Sequence, residues 1–230
     1  MMNQTGKGPP EPAAAYFARE YFELHAGKRK YLRYLIGFLR EQGIAAGRVL
    51  DVGSGYGFLL GALQAAGYQP VGLELAFHAA AESRRRRGVA VVQADAGGAF
   101  PFGDASFRAV TLFDVIEHIA DHEAMLRRCR QALAPAGLLF VITLNSGSLA
   151  RPLLGRRWSW HRDPTHVHLF SAATLRAALT AAGFDVVAFS TLSNFCCAGE
   201  GSSLLKPLRL IGRVVRTPWL GDSLLAVARR

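Results

Sequence analysis

The chain has 230 residues, half of them apolar, and a formal net charge of +10. Its length and apolar content suffice for one domain with a buried core and exclude a disordered or fibrous protein. Three cysteines without metal-ligand spacing exclude a disulfide framework, and no apolar segment reaches the roughly 20 residues that span a bilayer. We therefore expect a cytoplasmic globular protein. The positive charge alone does not choose among nucleic acid, a membrane surface and an anionic small molecule.

The N-terminal region has two parts. Residues 1–12 combine Gly, Pro and polar side chains, which predicts a flexible tail before a single domain at residues 13–230. From residue 13 to 42 the apolar side chains recur every three or four positions, which predicts one or two amphipathic helices.

Strand-like and helix-like segments alternate through the rest of the chain, apart from a loop-like insertion at residues 145–170. Such alternation favours a parallel α/β sheet with helices on both faces. The predicted strands are residues 48–52, 69–74, 89–93, 107–113, 138–143, 184–190 and 223–228. The predicted helices are residues 58–66, 77–87, 121–134 and 172–182. Four glycines follow predicted helices, where a left-handed residue often ends the helix, namely Gly67, Gly88, Gly137 and Gly183.

A glycine-rich loop follows the first predicted strand. Asp51 ends that strand, and Gly53, Gly55 and Gly57 come at alternate positions after it. A turn of this kind between a strand and a helix lets the backbone approach a ligand and leaves amides available at the helix start. The spacing differs from the G-x-G-x-x-G fingerprint of dinucleotide-binding proteins.

Two further carboxylates end the second and third predicted strands. Glu74 can accept hydrogen bonds from both hydroxyls of a ribose, and Asp95 can accept one from an adenine amino group. Each carboxylate alone is also compatible with a solvated strand end. Together with Asp51 they place three acidic groups at the edge where open α/β sheets bind ligands, which predicts a nucleoside site.

With these motifs in order, residues 48–143 resemble the class I S-adenosylmethionine-dependent methyltransferases. Further matches are Phe100-Pro101-Phe102, the strand end from Phe113 to His118, and Leu133-Ala134-Pro135-Ala136-Gly137. Arg108 departs from the family, which often has Asp there. The resemblance implies a Rossmann-like, doubly wound α/β fold whose seven-stranded sheet has the order 3-2-1-4-5-7-6, with the last strand antiparallel.

The same resemblance implies S-adenosylmethionine as the cofactor and S-adenosylhomocysteine as its product. The residue matching Asp51 organises the loop and the methionine amino group, Glu74 binds ribose and Asp95 meets adenine. In this family the helical segment 13–42 would lie over the cofactor as a lid that carries Tyr16, Tyr21 and His25, although either tyrosine is equally compatible with core packing. The implied cofactor-binding residues are Asp51, Gly53, Ser54, Gly55, Gly57, Glu74, Leu75, Asp95, Ala96, Phe113, Asp114 and His118.

His118 is the first candidate for the chemistry. The methyl group of a sulfonium is already activated, so a hydroxyl acceptor mainly needs alignment and a base, for which histidine is suited. The Glu117-His118 pair resembles that of quinone-biosynthesis O-methyltransferases, and the alternative is that the ring only braces the cofactor loop. Asp114, Glu117 and His118 also offer metal-ligand types, but Asp114 stands where some of those enzymes have Glu, and we predict no metal.

The insertion supplies further candidates, because aromatic, cationic and imidazole side chains crowd residues 158–171. In an extended stretch His166, His168 and Phe170 share one face, and Val167 and Leu169 share the other. We predict an acceptor pocket there, with His166 and His168 as additional catalytic residues. The alternative is a loop folded over the sheet with Ser171 capping the next helix. Similar segments in the methyltransferase families numbered as domains 11 and 23 predict no substrate.

Residues 204–216 combine basic and apolar side chains at helical spacing, interrupted early by Pro207. Such a helix can lie peripherally on an anionic membrane or pack its apolar stripe on the sheet.

Taken together, the sequence predicts an S-adenosylmethionine-dependent methyltransferase that acts on a small molecule, and we expect oxygen as the methylated atom. A nucleic-acid methyltransferase is the first alternative. Against it, the fourth strand lacks the Asn-or-Asp-Pro-Pro-aromatic motif of amino-group modifiers, and no Pro-Cys supplies a nucleophile for bases. A catalytically silent cofactor binder or a membrane-associated scaffold is the second alternative. The oligomeric state stays open.

Overall fold

The structure of the protein, a computed structural model, describes residues 29–148, 151, 165–192 and 221–230. Several sequence predictions lie outside these residues, namely the tail 1–12, Tyr16, Tyr21 and His25, most of the insertion and the basic segment 204–216. No helix in the described part of the chain has both the length and the apolar character needed to cross a membrane.

Five helices and seven strands alternate along the described chain. The helices are α1 (Arg29–Glu41), α2 (Phe58–Ala65), α3 (Phe77–Arg87), α4 (His122–Ala132) and α5 (Ala172–Ala181). The strands are β1 (Arg48–Val52), β2 (Gln69–Glu74), β3 (Ala90–Gln93), β4 (Phe107–Phe113), β5 (Leu133–Leu144), β6 (Asp185–Leu192) and β7 (Ser223–Arg229). A short 3₁₀ turn (Ile116–His118) follows β4.

The strands form one sheet of the order β3-β2-β1-β4-β5-β7-β6, which confirms the predicted topology. Strands β1 to β5 pair in parallel, whereas β7 is antiparallel to both of its neighbours. The parallel strands therefore end at one common edge, which we call the carboxyl edge. Ligands of open α/β sheets bind at this edge.

The core lies on both faces of the sheet, because the central strands bury apolar side chains on both sides, such as Val49 and Leu50 of β1. Helix α1 covers one face through Leu35 and Leu39, both almost completely buried. The ring of Phe38 packs edge-on against Phe140 of β5, with centroids 5.7 Å apart. The described part of the predicted lid therefore packs on the core, and the lid role of residues 13–42 stays a prediction.

The start of β5 differs from the prediction. The helix predicted to reach residue 134 ends at Ala132, and the strand begins at Leu133 rather than at Leu138. Leu133 pairs with Phe107, and a register shift follows before Leu138 pairs with Ala109. The shift accommodates the Pro and Gly in this stretch, which made it look like a turn in the sequence.

The predicted left-handed conformation is confirmed at Gly67, Gly88 and Gly183, with φ values of 93°, 63° and 84°. It is wrong at Gly137, because Ala136 takes the positive φ of 60° instead. Gly137 is required for a different reason. A Cβ there would lie 2.8 Å from the carbonyl oxygen of Ala134 and 3.2 Å from that of Arg108.

Cys129 of α4 provides a test of this packing. Complete burial against the sheet raises the pKa of its thiol to about 12. Because the thiolate is the reactive form, we expect iodoacetamide to leave Cys129 unmodified in the native protein at pH 8 and to alkylate it after denaturation. Mass spectrometry of the peptide that contains Cys129 measures both states. Native alkylation at the rate of an exposed cysteine would contradict the packing of α4.

Candidate active site

The glycine loop connects β1 to α2 and is held by β2. The amides of Gly53 and Ser54 donate to the carbonyl oxygen of Leu73 at 2.7 and 3.2 Å. Gly53 also has a φ of 71°, and a Cβ there would overlap the side chain of Val115. Gly57, again left-handed, is the N-cap of α2 and provides no side chain to cap the helix. The loop therefore brings backbone amides to the carboxyl edge, as the sequence predicts.

Ser54 differs from the other loop residues. Its hydroxyl is buried and lies against Gly72 of β2, toward the protein interior. A ligand at the carboxyl edge would meet the backbone of Ser54 and not its hydroxyl.

Glu74 ends β2 and braces the loop. Its Oε2 accepts a hydrogen bond from the amide of Gly55 at 2.7 Å, and its Oε1 accepts one from the amide of Ala76 at 2.8 Å. Each carboxylate oxygen has a second lone pair, so both can still accept a hydroxyl of a ligand. Glu74 is therefore both a structural brace and a possible ligand acceptor.

Two large, exposed apolar side chains follow Glu74 in the chain. Leu75 is 65 % exposed and Phe77 is 66 % exposed. Asp95, after β3, is exposed and accepts the amide of Gly97 through Oδ1 at 2.7 Å. The arrangement fits a planar ring that lies on an apolar platform and donates to a carboxylate. Ala96, which the sequence assigned to the same contact, is buried in the main core.

Asp51 is almost completely buried at the end of β1. Its Oδ1 accepts a hydrogen bond from the hydroxyl of Thr111 at 2.7 Å, because β1 and β4 pair Asp51 with Thr111. The sequence does not single out Thr111, since only the strand register reveals its role. The carboxylate is thus oriented from the neighbouring strand.

The chain turns sharply after β4. Phe113 is partly buried between two apolar clusters, and Asp114 has a φ of 55°, unusual for a residue other than glycine. The amide of Asp114 donates to Ile142 of β5 at 2.9 Å. In the 3₁₀ turn that follows, Glu117 is buried, and its Oε2 accepts from the hydroxyl of Thr143 at 2.8 Å.

Residues 165–170, which we call the docking segment, lie along this 3₁₀ turn. The amides of Val167 and His168 both donate to the carbonyl oxygen of Glu117, at 2.9 and 3.1 Å. His118 Nδ1 lies 3.2 Å from the carbonyl oxygen of Thr165 and 3.0 Å from its hydroxyl. The carbonyl oxygen can only accept, whereas the hydroxyl can donate or accept, so either ring tautomer of His118 finds a partner in Thr165. The docking segment therefore holds the ring of His118 through Nδ1.

The two imidazoles of the docking segment pair with one histidine of the 3₁₀ turn and one histidine of α4. The rings of His118 and His166 have centroids 4.7 Å apart, and those of His122 and His168 are 4.6 Å apart. His168 Nε2 lies 3.0 Å from the carbonyl oxygen of Ala120, and partial burial followed by the neighbouring His168 lowers the pKa of His122. The sequence does not single out His122, although it follows His118 at helical spacing.

The alternation predicted for the docking segment is confirmed. Val167 and Leu169 are exposed, Phe170 is buried, and His166 and His168 lie between these extremes. Ser171 caps α5, as the alternative interpretation of this segment expected, because its hydroxyl accepts the amide of Thr174 at 3.2 Å.

Three groups at this place could hold a metal ion. The carboxylate of Glu117 and one ring nitrogen each of His118 and His166 lie within 4.8 Å of one another. Asp114, which the sequence pattern joins to Glu117 and His118, is not part of this group among the described residues.

The glycine loop and the carboxylates at the carboxyl edge lie within a segment that matches a known protein family. Residues 23–188 match a protein family described as a methyltransferase domain. The chain belongs to this methyltransferase family. Its fold and family imply S-adenosylmethionine as the cofactor.

Comparisons with individual proteins agree with this assignment. The ubiquinone biosynthesis O-methyltransferase of Azorhizobium caulinodans is 31 % identical over 193 residues, which cover 76 % of this chain and 70 % of that protein. The protein of the same description from Idiomarina loihiensis is 32 % identical over 120 residues, so the match spans about half of each chain, 48 %. A solved S-adenosylmethionine-dependent methyltransferase from Archaeoglobus fulgidus superposes with a TM-score of 0.63 at 20 % identity, covering 91 % of this chain and 99 % of that one. The last comparison supports the fold.

Proposed function

We propose that the protein transfers the methyl group of S-adenosylmethionine to an oxygen atom of a small molecule, with His118 as the base. One observation carries the proposal. His118 stands in the 3₁₀ turn that follows β4 at the carboxyl edge, and its ring is held through Nδ1 by the docking segment. His118 would thus lie between the proposed position of the cofactor methyl group and the docking segment, where we place the acceptor.

The proposed cofactor contacts follow from the carboxyl edge. Glu74 would accept the ribose hydroxyls, and Leu75 would contact the adenine ring. Phe77 joins them, since an adenine ring there would cover its exposed side chain. Asp95 would accept the adenine amino group, and Asp51 would hold the loop and the methionine amino group. The remaining contacts would come from the backbone at Gly53, Ser54, Gly55, Gly57, Ala96, Phe113 and Asp114.

The cofactor, when bound, supplies an electrophilic methyl group on a sulfonium. The protein then has to hold the acceptor oxygen in line and remove its proton. Nε2 of His118 would take that proton in the tautomer that carries its own proton on Nδ1, where the carbonyl oxygen of Thr165 can accept it. The buried carboxylate of Glu117 stabilises an imidazolium beside it.

His166 and His168 have different places in the proposal. His166 faces His118 and would contact the acceptor or relay its proton. His168 is bonded to Ala120 and packed on His122, so it would act by positioning the docking segment. Oxygen as the methylated atom is supported by the relatives described as O-methyltransferases.

Transfer of labelled methyl groups tests the proposal. The full-length protein is incubated with S-adenosylmethionine labelled in the methyl group and with separate fractions of small molecules, lipids, nucleic acid and protein from a cell extract. We expect label in the small-molecule or lipid fraction and, by mass spectrometry, a methyl ether or ester in the product. Label confined to nucleic acid or protein, or no transfer despite measurable cofactor binding, would overturn the proposal.

A further inference from the structure

Four consecutive arginines, residues 84–87, end helix α3. The first donates from Nη1 to a backbone carbonyl of β3 at 2.8 Å, and the next two pair with Glu82 of the same helix. Cations at the end of a helix are favoured by the helix dipole, which is reason enough for a basic last turn. Arg87, the last of the four, differs from the others because its partners belong to the glycine loop and to the helix after it.

The side chain of Arg87 is partly buried and makes two contacts across the space between α3 and α2. Its Nε donates to the carbonyl oxygen of Tyr56 at 3.0 Å. Its guanidinium lies over the ring of Phe58, with Cζ 4.4 Å from the ring centre, which is the geometry of a cation–π contact. Tyr56 lies in the glycine loop and Phe58 begins α2, so this one side chain spans the junction between loop and helix.

Two glycines make room for the guanidinium. A Cβ at Gly61 would lie 3.0 Å from Nη1 of Arg87, and a Cβ at Gly57 would lie 3.3 Å from its Cδ. Gly61 lies inside α2, where glycine is less favourable than alanine. The space that its missing side chain leaves is lined by Arg87, so the sequence of α2 fits the position of this arginine.

Arg87 and Glu74 hold the glycine loop from different elements. All three glycines of the loop have positive φ, between 51° and 71°, and glycine loses more freedom on ordering than any other residue. From β2, Glu74 accepts the amide of Gly55 at 2.7 Å. From α3, Arg87 donates to the carbonyl oxygen of Tyr56, the next residue along the loop. A loop that is ordered before a ligand arrives loses less entropy on binding.

We propose that Arg87 is a positioning residue for the cofactor, which keeps the glycine loop in the conformation that binds S-adenosylmethionine. It acts through Tyr56 and Phe58 and not by contact with the cofactor. The inference rests on the proposed cofactor contacts and is independent of the acceptor. S-adenosylmethionine and S-adenosylhomocysteine differ only in the methyl group, so the loss of Arg87 should weaken the binding of both equally.

Arg87→Met tests the role, because methionine keeps a flexible apolar side chain against Phe58 and removes the charge and the hydrogen bond. Isothermal calorimetry on the full-length protein should show about 10-fold weaker binding of both ligands, the effect of one lost hydrogen bond to a charged group. In the methyl-transfer assay the KM for S-adenosylmethionine should rise by the same factor, with a much smaller change in kcat. Arg87→Lys keeps a cation at this place and should recover part of the affinity.

Arg85→Met is the matched control. It removes an exposed arginine of the same run, and Glu82 keeps Arg86 as its partner. This variant should bind both ligands as the unmodified protein does. An unchanged affinity in Arg87→Met would overturn the proposal, as would an equal loss in Arg85→Met.

Amide hydrogen exchange of the free protein separates a released loop from a general loss of stability. Peptides that cover residues 53–57 should exchange faster in Arg87→Met than in Arg85→Met, whereas peptides of the central strands β1 and β4 should keep their rates. Faster exchange throughout the sheet would make the role of Arg87 one of general stability and overturn the proposal. A protein that binds no S-adenosylmethionine would contradict the proposed function, and the exchange of the free loop would still decide whether Arg87 holds it.

Discussion

Replacing Glu74 with alanine is expected to weaken S-adenosylmethionine binding by more than about 100-fold, because the carboxylate would accept two ribose hydroxyls and each charge-assisted hydrogen bond contributes about 1.5–3 kcal/mol. The substitution also releases the glycine loop, since Glu74 holds the amides of Gly55 and Ala76 at 2.7 and 2.8 Å. Part of the lost affinity therefore reflects a loop that must order on binding. Isothermal calorimetry with S-adenosylmethionine and with S-adenosylhomocysteine measures the effect.

Two further variants separate these contributions. Asp185→Ala removes an exposed carboxylate at the start of β6, at the sheet edge opposite the carboxyl edge, and it should leave the affinity unchanged. Glu74→Gln keeps one acceptor oxygen and should fall between alanine and the unmodified protein. An unchanged affinity in Glu74→Ala, with normal thermal unfolding, would remove Glu74 from the cofactor site.

The order of the sheet could be predicted because its signals are local. Alternating apolar segments give the parallel strands, and the acidic ends of β1, β2 and β3 give the motif order that identifies the family. The start of β5 could not be predicted in this way. Leu133-Ala134-Pro135 has the composition of a turn, and only pairing of Leu133 with Phe107 on β4 makes it a strand.

In the candidate site, too, the sequence predicts residues with local signals and misses residues that act through tertiary contacts. Asp51, Glu74 and Asp95 could be predicted because residues that end parallel strands meet at one edge. The threonines that orient the site could not, because each acts across a contact that the sequence does not specify. Thr111 reaches Asp51 through the β1–β4 register, Thr143 reaches Glu117 from β5, and Thr165 reaches His118 from the docking segment.

Burial limits two of the predicted cofactor contacts to backbone atoms. Ser54 and Ala96 stand at motif positions, but Ser54 turns its hydroxyl toward Gly72 and Ala96 packs in the core. Phe77 is the opposite case. It lies outside the motif, and only its exposure next to Leu75 marks it as part of the apolar platform.

His118→Ala is expected to lower the turnover of methyl transfer by about 100-fold to 10,000-fold, the range for loss of a positioned general base. The affinity for S-adenosylmethionine should stay nearly unchanged, because Nδ1 of His118 bonds to Thr165 on the docking segment. Turnover is measured with the labelled acceptor fraction, in buffer with a chelator that removes transition metals. Calorimetry gives the cofactor affinity of the same preparation.

The matched control for this variant is His78→Ala, which removes an imidazole whose ring lies 6.3 Å from that of Tyr56 on the α3 side of the glycine loop. It should keep full turnover. Free imidazole should partly restore the activity of His118→Ala, because the small base can occupy the space that the side chain leaves. A merely bracing role predicts the reverse pattern, in which His118→Ala loses cofactor affinity and imidazole restores nothing. That pattern would assign His118 to the cofactor loop and leave the acceptor proton to another group.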